Sequence, residues 1–374
     1  MDPDNLLIIG TSETHADLYY ATRFLAPDPV IFIRVRGKDH LLVHDLEIDR
    51  AREQARVDIV LAISKLAREL RRRTGMSPTL TDVLIRFLRK RRVKALQVPG
   101  DFPVRFYAPL KRAGFQIRYA LSPCFTERAI KDGKEIRAIR QALHATERAA
   151  AKALRVLRRS SIRGNKLYFR GKALTSESLK KIIRHSLLED GCTGEHTIVS
   201  CGPQTVDPHH CGHGFLRPHR PIVMDIFPRH DTTRYYADFT RTVVRGTASP
   251  KLRKIYAAVR EAQDIACRTI RDGVDGQKVH QAVTKYFESL GYRTGKIRGR
   301  MQGFFHSTGH GLGLEVHESP RLGRGRDVLK AGQVVTVEPG LYYKGAGGVR
   351  LEDLVVVTKN GCVNLTKFPK TLEI

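Results

Sequence analysis

Among the features of this 374-residue chain, the one that most limits its fold is a set of carboxylates lodged within apolar strand patterns. Ile222, Val223 and Met224 lead into Asp225, and the run from Phe239 to Val244 follows Asp238. Val334 to Val337 leads into Glu338, and a second run, Val349 to Val357, contains Glu352. An ionised carboxylate among apolar neighbours is strongly disfavoured unless it is paired or bound to a cation. The two aspartates flank a turn-like stretch with Pro228 and Asp231, so they either face each other across a hairpin or are simply hairpin-end aspartates. The two glutamates sit in strands joined by a Gly-rich loop, and the apolar residues on both sides of Glu352 argue against a surface position.

Histidines add to the set. His306 and His310 are four apart and His317 follows seven later, with Gly309, Gly311 and Gly313 between them. Flanking glycines let backbone approach a compact site closely, and they break the helix that an HExxH zinc motif requires. Four carboxylates with one or more imidazoles form an oxygen-rich donor set suited to Mn2+, with Co2+ or Zn2+ as alternatives. Two such ions about 3.5–4 Å apart can share carboxylates and act on a carbonyl as Lewis acids.

Residues 1–125 read as an α/β domain. Its strands are Leu6 to Ile9, Val30 to Val35, Leu41 to Val43 and Ala95 to Val98. Helical periodicity runs from Ile48 to Arg72 and from Leu80 to Arg91, and Gly100 and Pro103 mark a loop. Residues 126–160 read as a helical linker carrying Ile136, Ile139, Leu143, Leu154 and Leu157. Residues 161–374 hold the chemistry. One helix there spans Leu174 to Leu188, capped at Thr175 or Ser176, and another starts with Ser249 as N-cap and Pro250 at its first position.

Lys and Arg number 66 against 38 Asp and Glu, a net charge of +28 that favours non-specific association with polyanions. The basic runs Arg71–Arg73 and Arg89–Arg92 adjoin helical patterns and read as solvated faces; no aromatic-rich RNA-binding signature accompanies them, so specific nucleic-acid binding is not expected. Six cysteines without a CxxC pair read as reduced thiols. Cys201, His209, His210, Cys211 and His213 cluster in sequence, but their spacing matches none of the usual zinc-finger patterns. The N-terminus, with Asp2 and Asp4, lacks the form of a secretory signal, and no apolar run approaches the roughly 18 residues of a membrane span. The expected address is the cytoplasm.

Together the three motif segments resemble the metal-site motifs of the aminopeptidase P and prolidase family, relatives of methionine aminopeptidase and creatinase. ERAIKDGKEIRAIRQA is similar to the helix joining that family's two domains, so the resemblance covers nearly the whole chain. It implies an α+β fold, with a pita-bread catalytic domain over 161–374 preceded by a smaller α/β N-terminal domain. It also implies a metallopeptidase that hydrolyses Xaa-Pro bonds in short peptides through a hydroxide bridging two divalent ions, working as a homodimer without a membrane. A catalytically silent binding protein on the same fold is the alternative.

Residue by residue, Asp225, Asp238, His310, Glu338 and Glu352 fall on the five metal ligands, with Asp238 and Glu352 as the bridging pair. Glu338 also falls on the proton shuttle, His306 and His317 on the histidines flanking the substrate, and Arg350 on the arginine beside the second glutamate. The segment CGPQTVDPHHCGHG resembles the family's loop ending in Pro-His, which points to His209 as the upstream catalytic histidine, with His210 or His213 taking the role if the loop is offset. The sequence departs from the family between Asp225 and Asp238, where Phe227 replaces a glycine and about two residues are inserted, so a reshaped turn is expected. The short connection from Glu338 to Glu352 resembles the prolidase branch and favours dipeptides, with Arg350 or another arginine expected to grip their free carboxylate.

Overall fold

The strand runs of the N-terminal region pair into one six-stranded sheet. Its strands are β1 (Leu6–Gly10), β2 (Val30–Val35), β3 (Lys38–Val43), β4 (Ile59–Ala62), β5 (Ala95–Val98) and β6 (Gln116–Tyr119), in the order β4-β3-β2-β1-β5-β6. Neighbours β1, β2 and β3 run antiparallel and the outer pairs run parallel. Consecutive residues point to opposite faces, and both faces are covered: Leu7, Ile9, Ile31 and Ile33 enter one core while Leu6, Ile8, Val30 and Phe32 enter another. The result is a computed structural model that describes residues 5–120 and 123–374, which leaves Asp2 and Asp4 outside the described residues. It divides into two units, Met1–Arg128 and Ala129–Ile374.

Five helices, α1 (Ala16–Thr22), α2 (Ile48–Gln54), α3 (Ile63–Thr74), α4 (Leu80–Lys90) and α5 (Val104–Arg112), complete the first unit. The single helix expected over Ile48 to Arg72 is therefore two, separated by β4. The β-branched and apolar run Ile59-Val60-Leu61 gains more from parallel pairing with Leu41 and Leu42 than from continuing a helix. Helix α5 arises where only a loop was marked, beginning directly after Pro103.

The helix expected to be a linker belongs to the core of the second unit. Helix α6 (Gly133–Arg158) opens with a capping box between Asp132 and Glu135 and buries Ile139, Leu143, Ala150, Leu154 and Leu157. Helix α7 (Ser176–Glu189) is capped by Thr175 and packs on α6. Both lie in one core with a three-stranded sheet, β7 (Ile198–Cys201), β8 (Pro221–Asp225) and β9 (Thr240–Val244), ordered β7-β8-β9. Helices α8 (Pro250–Thr269) and α9 (Gly276–Ser289) share a second core with a five-stranded sheet. Ser249 caps α8 through the Leu252 N–H, with Pro250 at the first position as expected.

Apart from short two- and three-stranded ribbons, the strands that follow in chain order are β10 (Gly309–Gly311), β11 (Glu318–Leu322), β12 (Val334–Val337), β13 (Gly340–Tyr343), β14 (Gly347–Arg350), β15 (Asp353–Thr358) and β16 (Gly361–Asn364). The five-stranded sheet is ordered β11-β10-β12-β15-β16, and β13 with β14 forms a separate ribbon. The run Val349 to Val357, read as one strand, is therefore broken. Its first part pairs in the ribbon, its second in the sheet, and Glu352 lies at the break. Among the described residues, no helix is long and apolar enough to cross a membrane.

Candidate metal centre

The two sheets of the second unit meet at their carboxylate-bearing ends. Asp225 closes β8 opposite Thr240 of β9, and Asp238 lies two residues before β9. On the other sheet Val337 pairs with Asp353, which puts Glu338 and Glu352 next in register at the end of the β12–β15 pair. An isolated bridge from Thr240 to Glu352 joins the two halves. Arg241 fixes the break at Glu352: its Nη1 donates to the Glu352 carbonyl at 2.7 Å and its Nη2 to Asp353 Oδ1 at 2.8 Å.

Ligand atoms of Asp238, His310 and Glu352, all buried, lie within 4.8 Å of one another. His310 Nε2 is 3.5 Å from Glu338 Oε1 and 3.8 Å from Asp238 Oδ2. His310 Nδ1 lies 3.1 Å from the Gly311 carbonyl, which only accepts, so Nδ1 carries the proton and Nε2 presents a lone pair. Burial, aided by His317, pushes the His310 imidazole down to about 3, so it is neutral and forms no ion pair with these acids. A lone pair turned towards carboxylate oxygens calls for a cation between them.

The acids tell the same story. Burial, then the charge of Asp225, holds Asp238 well above the usual carboxylate range, and burial with Asp238 does the same to Glu352. Burial lifts Glu338 to about 7. Asp225 Oδ2 accepts from Arg350 Nη2 at 2.6 Å, while its buried Oδ1 has no hydrogen-bond partner among the described residues. An orphaned carboxylate oxygen, three further acids and a neutral imidazole fit a divalent metal centre.

Arg350, which lines the cleft, is tied into the site by its own hydrogen bonds. Its five N–H groups meet acceptors within the protein: Thr240 Oγ1, Tyr342 Oη, Asp225 Oδ2 and, from both terminal nitrogens, the Pro208 carbonyl. Only 3% exposed, it must satisfy its donors locally. It pins Asp225 in place. Arg321 is a second cation at the cleft. It is the cross-strand partner of His310 on β11, so both side chains leave the same face of the sheet. It is exposed, and among the described residues its guanidinium makes no hydrogen bond or ion pair.

One cleft of about 650 Å³ is lined by Asp225, Asp238, His310, Glu338 and Glu352 together with His209, His306, His317, Arg321 and Arg350. Of the three upstream histidines, His209 lines this cleft, His213 lines a separate cavity and His210 accepts from the Gly212 N–H through Nδ1. The His317 ring stands edge-on to that of His310, 4.4 Å away. His306 holds its Nδ1 proton on the Ser307 carbonyl at 2.8 Å and sets Nε2 3.0 Å from Tyr342 Oη. Arg350 donates to the same hydroxyl at 2.9 Å, so Tyr342 turns its proton to His306. Burial first, then Arg350, lowers His306 to about 3. Phe227, at the departure from the family pattern, also lines the cleft, and the inserted turn is tied down by pairing of Arg229–His230 with Cys192–Thr193.

Sequence reasoning overlooked Thr240, Tyr342 and Arg321. Thr240 Oγ1 donates to Glu352 Oε2 at 2.7 Å. Period-two alternation in Asp238-Phe239-Thr240 already placed it on the carboxylate's face. If His310 is a ligand, His310→Ala should lower metal content, whereas His306→Ala should keep the metal and lose turnover. Equal metal loss in both would reverse those roles.

The loop carrying His209 is anchored by Gly212, whose φ is +78° and where an added Cβ would lie 1.7 Å from the Val199 carbonyl oxygen. Gly212→Ala therefore combines backbone strain with a backbone collision, and should destabilise by about 3 kcal/mol, a melting shift of roughly 6–12 °C. An unchanged melting temperature would show that the loop can move aside.

Residues 137–359 match metallopeptidase family M24. An uncharacterized peptidase, YqhT, of Bacillus subtilis is 43% identical over 141 residues, 37% of this chain and 38% of that protein. The Xaa-Pro dipeptidase of Pyrococcus furiosus is 36% identical over 182 residues, 47% of this chain and 48% of that protein. The chain thus spans about half the length, or less, of the curated relatives it matches. Among solved structures, an Xaa-Pro dipeptidase from Bacillus anthracis superposes with a TM-score of 0.83 at 24% identity, covering 99% of this chain and 95% of the other. That likeness carries the fold, and the α+β pita-bread arrangement expected from the sequence is the one the chain has.

Proposed function

The chain belongs to metallopeptidase family M24, and we propose that it hydrolyses Xaa-Pro bonds of short peptides in a divalent-metal centre formed by Asp225, Asp238, His310, Glu338 and Glu352. The observation that carries this reading is the neutral His310 Nε2 facing Asp238 and Glu338 oxygens at the floor of an open cleft. The relatives named as Xaa-Pro dipeptidases supply the substrate class. An intact set of acids speaks against the silent binding protein.

In this reading Asp225, Asp238, His310, Glu338 and Glu352 would together hold two divalent ions, with Asp238 and Glu352 as the acids that would serve both. Mn2+ is the proposed metal, since four of the five donors are carboxylates, with Co2+ or Zn2+ as alternatives. When bound, such ions lower the pKa of water and polarise the scissile carbonyl. Glu338, lifted to about 7 by burial, is suited to accept a proton from water and return it to the tertiary nitrogen of the leaving proline. The chain Arg350–Tyr342–His306 fixes one wall, and His317 and His209 stand at the cleft to orient the peptide and donate to the oxygen that gains charge. Arg321 is the group proposed to hold the substrate's free carboxylate. Six free cysteines among the described residues suit the reducing cytoplasm proposed as its compartment. A homodimer is the proposed assembly.

Metal analysis coupled to hydrolysis tests this. About two equivalents of divalent metal per chain are expected, together with cleavage of Ala-Pro that a chelator abolishes and Mn2+ restores. Metal-loaded protein inert towards every Xaa-Pro dipeptide and tripeptide would sink the proposal.

A further inference from the structure

A second cavity, of about 680 Å³, lies in the same unit and shares no lining residue with the catalytic cleft. Arg217, Arg220, Arg300 and Lys344 all line it, and no carboxylate does. Among the described residues, none of these four side chains makes an ion pair or a hydrogen bond. They come from three separate stretches of chain: the approach to β8, the hairpin strand Arg300–Gln302 and the turn after β13. All four side chains are exposed and solvated, and an anion entering the cavity gains attraction from each of them.

The rest of the wall bears on what that anion is. In the turn after β13, Gly345 is exposed with nothing within 4 Å of where a Cβ would sit, which leaves its backbone open to an anionic group, whereas Gly347 is buried against Pro221. Phe215, 46% exposed, also lines the cavity, with Lys166 Nζ covering one face of its ring 3.9 Å from the centre, so only the opposite face is open to a ligand. A concave pocket of this size matches a small molecule rather than a nucleic-acid strand, which would follow an extended basic groove.

The geometry points to a binding site for a small phosphate ester with two or more phosphates and a planar organic body, the chemistry of a nucleoside di- or triphosphate. The phosphates meet Arg217, Arg220, Arg300 and Lys344, arginine being the better partner for bidentate contact with phosphate oxygens. The organic body lies against Phe215. The site is separate from the peptidase chemistry and is tested without it.

Isothermal titration of the purified full chain with its metal content fixed compares ADP, ATP, pyrophosphate and adenosine. Saturable one-to-one binding of ADP and ATP is expected, weakening as salt rises, with adenosine not bound and pyrophosphate bound more weakly than ADP. Arg217→Ala with Arg300→Ala should weaken ADP at least tenfold. Arg71→Ala with Arg72→Ala removes the same charge from exposed helix α3 and should leave binding unchanged. Both pairs are surface exposed, and unchanged melting verifies their folding. Equal binding by the two variants, as chelation of the active-site metal or a diffuse basic field would give, overturns the proposal. So does pyrophosphate binding as tightly as ADP, or no saturable binding at all.

Discussion

Asp238→Ala should lose both metal ions rather than one, and with them a factor on the order of 1,000 in kcat, the scale of the several kcal/mol that metal catalysis supplies. Asp238 is 5% exposed and belongs to the buried group with His310 and Glu352, where an alanine offers no donor to a metal. If it is shared between two ions, each loses a ligand at once. The metal-free state separates this effect from misfolding. Burial and neighbouring acids hold Asp238 and Glu352 well above the usual carboxylate range, which shows that the metal-free site is electrostatically strained. Deleting one acid relieves that strain, so metal-free Asp238→Ala should melt at or above metal-free wild type while no longer gaining stability from added Mn2+. Two equivalents of metal retained by the variant would remove Asp238 from the shared position.

That these acids gather at one place was suggested by their surroundings in sequence. Asp225 after Ile222-Val223-Met224, and Glu352 inside a valine run, each call for a partner charge or a cation once buried. The caps at Thr175 and Ser249 were legible for a similarly local reason: each is a short polar residue just before a helical pattern. Failures came where the deciding fact was tertiary. Helical spacing fits Ile48 to Arg72 throughout, and only pairing of Ile59–Ala62 with β3 turns its middle into a strand. The valine run after Gly347 looks continuous, yet it changes sheets at Glu352, where Arg241 and Thr240 hold the backbone and the carboxylate. Arg350 stands two residues before Glu352 in sequence, but its burial and four internal acceptors are visible only in three dimensions. Arg321 carries no motif, and cross-strand pairing with His310 is what brings it to the cleft.

If Arg321 holds the substrate's carboxylate as proposed, it decides between dipeptidase and aminopeptidase. Arg350 neutralises Asp225 internally, whereas Arg321 is exposed at the cleft with an uncommitted guanidinium. A dipeptide such as Ala-Pro ends in a carboxylate one residue beyond the scissile bond, within reach of a side chain facing the same way as His310. A charge-assisted hydrogen bond between that carboxylate and Arg321 is worth about 1.5–3 kcal/mol. Wild type should therefore favour Ala-Pro over Ala-Pro-amide by roughly 10- to 100-fold in kcat/KM. The advantage should shrink as salt screens the basic field of a chain with net charge +28. Arg321→Ala should erase the preference by slowing cleavage of the free acid while leaving the amide nearly unchanged and metal content intact. Arg350→Lys should instead disturb Asp225 and reduce cleavage of acid and amide alike. If the amide or a longer Xaa-Pro peptide is cut as well as the dipeptide by wild type, the aminopeptidase reading replaces this one. If Arg321→Ala slows both substrates equally, Arg321 acts on the metal centre and not on the substrate's terminus.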